Sequence, residues 1–104
     1  MASAEIDSGI CGFNATVRTT SEGRTVRVDI ESTCPHVRAL AEELTAVEPF
    51  AEISFRGDGP LTLRLAAKHL AHPACPVPAG IIKAIEVEAG LALPKEASIK
   101  PSKD

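Results

Sequence analysis

From Phe13 to Ile30 apolar and polar positions alternate with a period of two. Phe13, Ala15 and Val17 precede Ser21-Glu22-Gly23, and Val26, Val28 and Ile30 follow it. That period sends successive side chains to opposite faces of a strand, so the segment predicts a β-hairpin. Arg18, Arg24, Arg27 and Asp29 fall at or near the intervening positions, which makes one face of the sheet buried and the other wet.

The period changes at Cys34. Val37, Leu40, Ala41, Leu44 and Val47 follow the i, i+3, i+4, i+7, i+10 spacing of one helical stripe. Pro35 suits the first helical position, Cys34 then becomes the N-cap, and Pro49 marks the far end. Ile53 and Phe55 predict a short third strand before the turn Gly57-Asp58-Gly59-Pro60, and the Arg56-Gly57-Asp58 triplet reads as turn chemistry. Leu61 to Leu70 fits both periods, and a helix from about Thr62, stopped by Pro73, is favoured. His72 to Pro78 is too rich in proline for regular structure and reads as a stiff loop. A further helix starts at Pro78 or Ala79, carries Ile81, Ile82, Ile85 and Ala89 on its apolar side, and stops at Gly90. The tail from Lys95 is polar, with an edge strand expected around Ser98-Ile99.

These elements make a single α+β domain over residues 1–104, frayed at 1–8 and 100–104. The expected core is a small antiparallel sheet, the hairpin plus one or two strands, covered on one face by two to three helices. A chain of 104 residues with 44% hydrophobic and 24% charged positions lies near the globular average, far from compositions that stay disordered. Aromatics are scarce, three Phe with no Trp or Tyr, so the core is aliphatic and platforms for base stacking are missing. A net charge of −3 argues against a surface that follows nucleic-acid phosphates. The acidic start lacks the pattern of a secretory signal, and no stretch approaches the roughly 20 apolar residues that span a bilayer. The expectation is a cytoplasmic protein with neither nucleic acid nor membrane as partner.

Three cysteines are an odd number, which a disulfide framework would leave unbalanced. In a reducing compartment metal binding or thiol chemistry is the better reason for them, against the bland alternative of small buried hydrophobes. Each sits at a junction between elements, and Cys34-Pro35 and Cys75-Pro76 each precede a helix. A helix start presents unpaired N–H groups and the positive end of the macrodipole, which favours thiolate. Cys11, between Gly9 and Gly12, is open to approach from other groups. His72 stands three residues before Cys75 and is the first choice for a fourth ligand. His36 could replace it or support a ligand from behind, and His69 is the weakest of the three histidines. No Cys-x-x-Cys pair occurs, so any metal centre must be assembled by the fold. The paired acids Glu42-Glu43 and Glu86/Glu88 read as solvated helix faces. Nothing singles out a Cys75-His72-Asp58 hydrolase, so a binding protein is favoured over an enzyme.

The order of Cys11-Gly12 on a first strand, Cys34 capping a helix, and a His72/Cys75 loop opening a helix with Ile82-Lys83-Ala84-Ile85 resembles the IscU/SufU/NifU N-terminal iron-sulfur scaffold family, over about residues 9–91. The resemblance implies a [2Fe-2S] cluster or zinc held by Cys11, Cys34, Cys75 and His72. By analogy it also implies a cysteine desulfurase or client apo-proteins as partners. The chain departs from that family where Phe13 replaces the acidic residue after Cys-Gly. It also lacks the Leu-Pro-Pro-Val-Lys segment, and two residues separate His72 from Cys75. Three functions follow as expectations: a cluster or metal scaffold or carrier, a structural Cys3His zinc module, and a persulfide carrier using Cys75 or Cys34.

Overall fold

The computed structural model describes residues 1–103. Among them the chain forms a four-stranded antiparallel meander, β1 (Ala2–Asp7), β2 (Asn14–Glu22), β3 (Thr25–Ser32) and β4 (Ala46–Val47), in the spatial order β1-β2-β3-β4. Four helices, α1 (Pro35–Glu43), α2 (Pro49–Glu52), α3 (Leu61–His69) and α4 (Val77–Glu88), lie on one side of it. This is the α+β architecture that the sequence pattern anticipates.

β2 and β3 form because Thr, Val and Ile dominate both segments and alternate with polar residues, and such side chains suit a pleated, half-covered surface. Their register pairs Val17 with Ile30 and Thr19 with Val28. The connection is two residues long, Gly23-Arg24, tighter than the three-residue turn expected. Gly23 has φ +64°, the left-handed value that the first central position of a type II′ hairpin needs. Inward-facing Ala15, Val17, Val26 and Val28 are buried, while Arg18, Arg27 and Asp29 on the opposite face are exposed.

α4 covers β1 and β2, and α1 covers β3. In α4 the buried positions Val77, Ile81, Ala84 and Ile85 follow the i, i+4, i+7, i+8 stripe. Fully burying a side chain of this size stabilises the fold by about 1.5–3 kcal/mol. Val37, Leu40 and Leu44 do the same for α1, and Leu61, Leu65 and Leu70 bring α3 onto the same core. Buried Thr19 places its hydroxyl between the carbonyls of Ala2 and Ala84, at 3.2 and 3.3 Å, and so links β1, β2 and α4 with no polar atom left over. α4 ends as anticipated at Gly90, φ +76°. The Gly90 N–H donates to the Val87 carbonyl and the Leu91 N–H to that of Glu86, the paired bonds of a Schellman stop.

Several expectations are corrected. Ala2–Asp7, expected to fray, form β1, paired from Ala2↔Thr19 to Asp7↔Asn14. Ala, Ser, Glu and Asp are poor strand formers, and the strand exists because β2 offers an edge and α4 a lid. The lid fits because Gly80 has no side chain: a Cβ built there would fall on that of Ile6. The third strand lies at Ala46–Val47 instead of Ile53–Phe55, and Pro49 opens α2 instead of ending α1. Val47 is buried from β4, paired with Val26, and not from the helical stripe that its spacing suggested. No strand forms at Ser98-Ile99, and residues 91–103 are exposed without a regular element.

Candidate functional site

The three cysteines lie on separate segments that the fold brings to one end of the sheet. β1 ends there at Asp7, β2 starts at Asn14, and between them Gly9–Cys11 forms one 3-10 turn. Asp7 accepts the Gly9 N–H through Oδ1 at 2.9 Å, and the Ser8 N–H donates to the Phe13 carbonyl at 3.1 Å. Gly9 and Gly12 both take left-handed φ values, +81° and +77°, so a turn this short reverses without strain. Cys11 is exposed at its tip beside Ile10, whose side chain is wholly in solvent.

β3 ends at the same place, and Cys34 follows as the N-cap of α1 with Pro35 at the first helical position. Its backbone is fixed by a relay: the Cys34 N–H donates to Ser32 Oγ at 3.1 Å, and that hydroxyl donates to the Asn14 carbonyl at 2.7 Å. Arg38 Nε holds the Ser32 carbonyl from the first turn of the helix, at 2.8 Å. Asn14 stands two residues past Gly12, so this relay stitches the Cys34 segment beside the foot of the Cys11 turn. The half-buried Cys34 thiol makes no capping hydrogen bond to the helix.

Cys75 reaches this end through α4. Gly80, near the start of that helix, abuts Ile6 near the end of β1. At the other end of α4, Glu88 takes the Ser21 N–H and hydroxyl at 3.0 and 2.8 Å and stands 3.4 Å from the Met1 amine. α4 therefore runs antiparallel to β1 and begins at the cysteine end. Cys75, half-buried against the core, precedes it by two residues, and Pro76 is the N-cap of a helix that starts one residue before the Pro78 expected.

The histidines divide. His72 and His36 are exposed, His72 on the loop before Cys75 and His36 in the first turn of α1 after Cys34. His69 is held by Glu43, which also takes Lys68 Nζ at 3.0 Å. The imidazole of His69, and after it the ammonium of Lys68, hold the Glu43 carboxyl below the usual carboxylate range. Glu43 closes the far end of α1, about 13 Å of helix from Cys34 at 1.5 Å per residue, so His69 ties α3 to α1 away from the thiols. Among the described residues no three His, Cys, Asp or Glu side chains stand close enough to hold a metal ion. The donors share an end of the molecule without being assembled around one point.

The sequence reading missed the acids that organise the opposite end. Buried Glu52 accepts from the Leu61 and Thr62 N–H groups, both at 2.9 Å, and from the Thr62 hydroxyl at 2.6 Å. It closes the start of α3 from α2. The signal was legible: α3 begins after Pro60, which offers no side-chain acceptor, so its first N–H groups need one from elsewhere. Glu48 does the same for α2, taking the Phe50 and Ala51 N–H groups.

These features define a small antiparallel α+β domain with three thiols collected at one end of its sheet. The chain belongs to a family of unknown function (DUF6951), whose model matches residues 2–101. Comparison with curated proteins and with solved structures found no match.

Proposed function

We propose that the cysteine end binds a metal centre, an iron-sulfur cluster or a zinc ion, with Cys11, Cys34 and Cys75 as thiolate ligands and His72 or His36 as the fourth. The observation that carries this reading is the placement of three cysteines, distant in sequence, on three neighbouring segments at one end of the sheet. Cysteines kept only as small hydrophobes have no reason to gather at element junctions, one of them exposed. The Cys11 turn, pivoting on two glycines, is the segment that closes the ligand set when the centre is loaded. Of the two centres, the [2Fe-2S] cluster is favoured by the likeness to the IscU/SufU/NifU scaffolds. On that reading the protein is a cluster scaffold or carrier that works with a sulfur donor and apo-protein clients in the cytoplasm. A zinc ion in the same ligands would instead fasten turn, helix and loop together.

A second reading, sulfur carriage as a persulfide on one thiol, is favoured by the separation of the donors and by Cys34, whose sulfur takes no bond from the helix start it caps. One experiment separates the three. The full chain is purified anaerobically, assayed for iron, zinc and acid-labile sulfide, and reassayed after reconstitution with iron and sulfide. Iron with a visible charge-transfer band, lost when any one cysteine is replaced by Ser, supports the cluster. Stoichiometric zinc that resists dialysis supports the structural site. Persulfide on a single cysteine with neither metal bound supports carriage, and failure to take up any metal after reconstitution sinks the metal-centre proposal.

A further inference from the structure

We infer that the carboxylate bridge from Glu43 to His69 and Lys68 is a latch that governs access to the Cys75 thiol, six residues downstream of His69. α3 is pinned at both ends by acids from other helices. Glu52 takes the Leu61 and Thr62 N–H groups at its start, and Glu43 takes Lys68 Nζ and the His69 imidazole at its end. No other hydrogen bond joins α3 to α1 among the described residues. The His69 side chain is only 18% exposed, so this bond is sheltered from water better than a surface ion pair. Glu43 and His69 are the last residues of their helices, and the bridge therefore fixes the point at which the chain leaves α3 for the cysteine loop.

Beyond Leu70 little else holds that loop. Residues 71–74 are exposed, and no hydrogen bond ties residues 71–75 to another element among the described residues. The loop is placed only where it leaves α3 and where it enters α4. It carries the position of the α3 end forward stiffly, because Pro73 and Pro76 lock their own φ and restrict His72 and Cys75 before them. It also has little slack. The length of α1 from its Glu43 end back to the cysteine end is about 13 Å, and six residues reach about 20 Å at full stretch. Cys75 itself is half-buried against the core, so releasing the α3 end lets the loop lift and uncovers the sulfur, a local opening that leaves the sheet intact. Cys34 is half-buried against the same core, but the Ser32 relay and Arg38 hold its segment at the start of α1, out of the latch's reach.

The test is the alkylation rate of each thiol in the reduced full chain treated with chelator, read by iodoacetamide pulses and peptide-resolved mass spectrometry. The readout follows free thiols, so a failure of metal uptake leaves it unaffected. Glu43→Ala is expected to speed Cys75 about fivefold, with Cys34 and Cys11 changed by less than about twofold. His69→Gln, whose amide still donates to Glu43, stays within about twofold of wild type. In a Pro73→Gly background, where the loop no longer transmits the position of the helix end, the Glu43→Ala effect on Cys75 falls below about twofold. An unchanged Cys75 rate in Glu43→Ala overturns the inference, as does an equal rise at Cys34 and Cys75, which marks general loosening of the core. So does a His69→Gln rate as high as that of Glu43→Ala, or a Glu43→Ala effect undiminished by Pro73→Gly. Should Glu43→Ala not fold, Glu43→Gln keeps an acceptor without the charge and carries the same test, with a rise of about threefold expected at Cys75 alone.

Discussion

The two ends of the sheet close their helix starts in opposite ways. At the hairpin end and around α2, acids are committed to structure: Glu88 ties Ser21 and the chain's amine to α4, Glu48 caps α2, and Glu52 caps α3 from within the core. At the other end α1 starts on Cys34, whose sulfur caps nothing, Cys11 projects on a glycine-hinged turn, and Cys75 waits before α4. A helix start that serves only stability is closed by an oxygen acceptor, because that satisfies its N–H groups best. The start of α1, with an unbonded thiol at its N-cap, has no side-chain acceptor for its first N–H groups. The contrast separates an end whose helix starts are closed by acids from an end whose thiols make no capping bond, which is where the proposed function places the metal centre.

That division can be tested by substitution. The largest loss falls on Glu52: Glu52→Ala strands the Leu61 and Thr62 N–H groups in the core and lowers unfolding free energy by about 3 kcal/mol in urea titrations, while Glu52→Gln keeps one acceptor and costs about half as much. Gly80→Ala comes next, at about 1–2 kcal/mol, because Ile6 must move aside for the new methyl group. A result within error of wild type would mean that β1 is not packed under α4.

Ser21→Ala follows, with a loss near 1 kcal/mol at neutral pH and a change in the acid limb of the stability curve. Bonds from Ser21, and then the chain's amine, hold the Glu88 carboxyl below its ordinary value of 4.5. Its folded-state pKa is depressed, so the stability it lends is present above about pH 4.5 and disappears as pH falls through the lower folded value. Removing the hydroxyl shrinks that window, which thermal melts between pH 2 and 6 would register. The smallest effect on stability is that of Cys11→Ser, within about 0.5 kcal/mol of wild type because the side chain is exposed. The same substitution abolishes uptake of a metal centre on the proposed function. An apo-protein destabilised by several kcal/mol would make Cys11 a structural residue and erase the contrast between the ends.

Much of this was legible in the residues. The hairpin, the α1 stripe with Cys34 and Pro35 at its start, the proline-rich loop before Cys75 and the stop at Gly90 all follow from local pattern, because each is set by neighbours within one or two turns of chain. The three thiols were legible as candidates for the same reason: junction positions are local features.

What required the tertiary structure is equally specific. β1 has the composition of a loop and becomes a strand because the edge of β2 pairs with it and α4 covers it. Val47 keeps the burial its spacing predicts but reaches it from a strand, since β3 had room for one more short partner. Glu52 looks like any surface acid until α3 begins beside it. The chain's own pattern thus settled the hairpin, α1 and α4 by periodicity, while β1, the placement of β4, capping across elements and the gathering of Cys11, Cys34 and Cys75 at one end were decided by contacts between residues far apart in sequence. Periodicity records which side of an element is apolar, but it holds no record of what that side will meet.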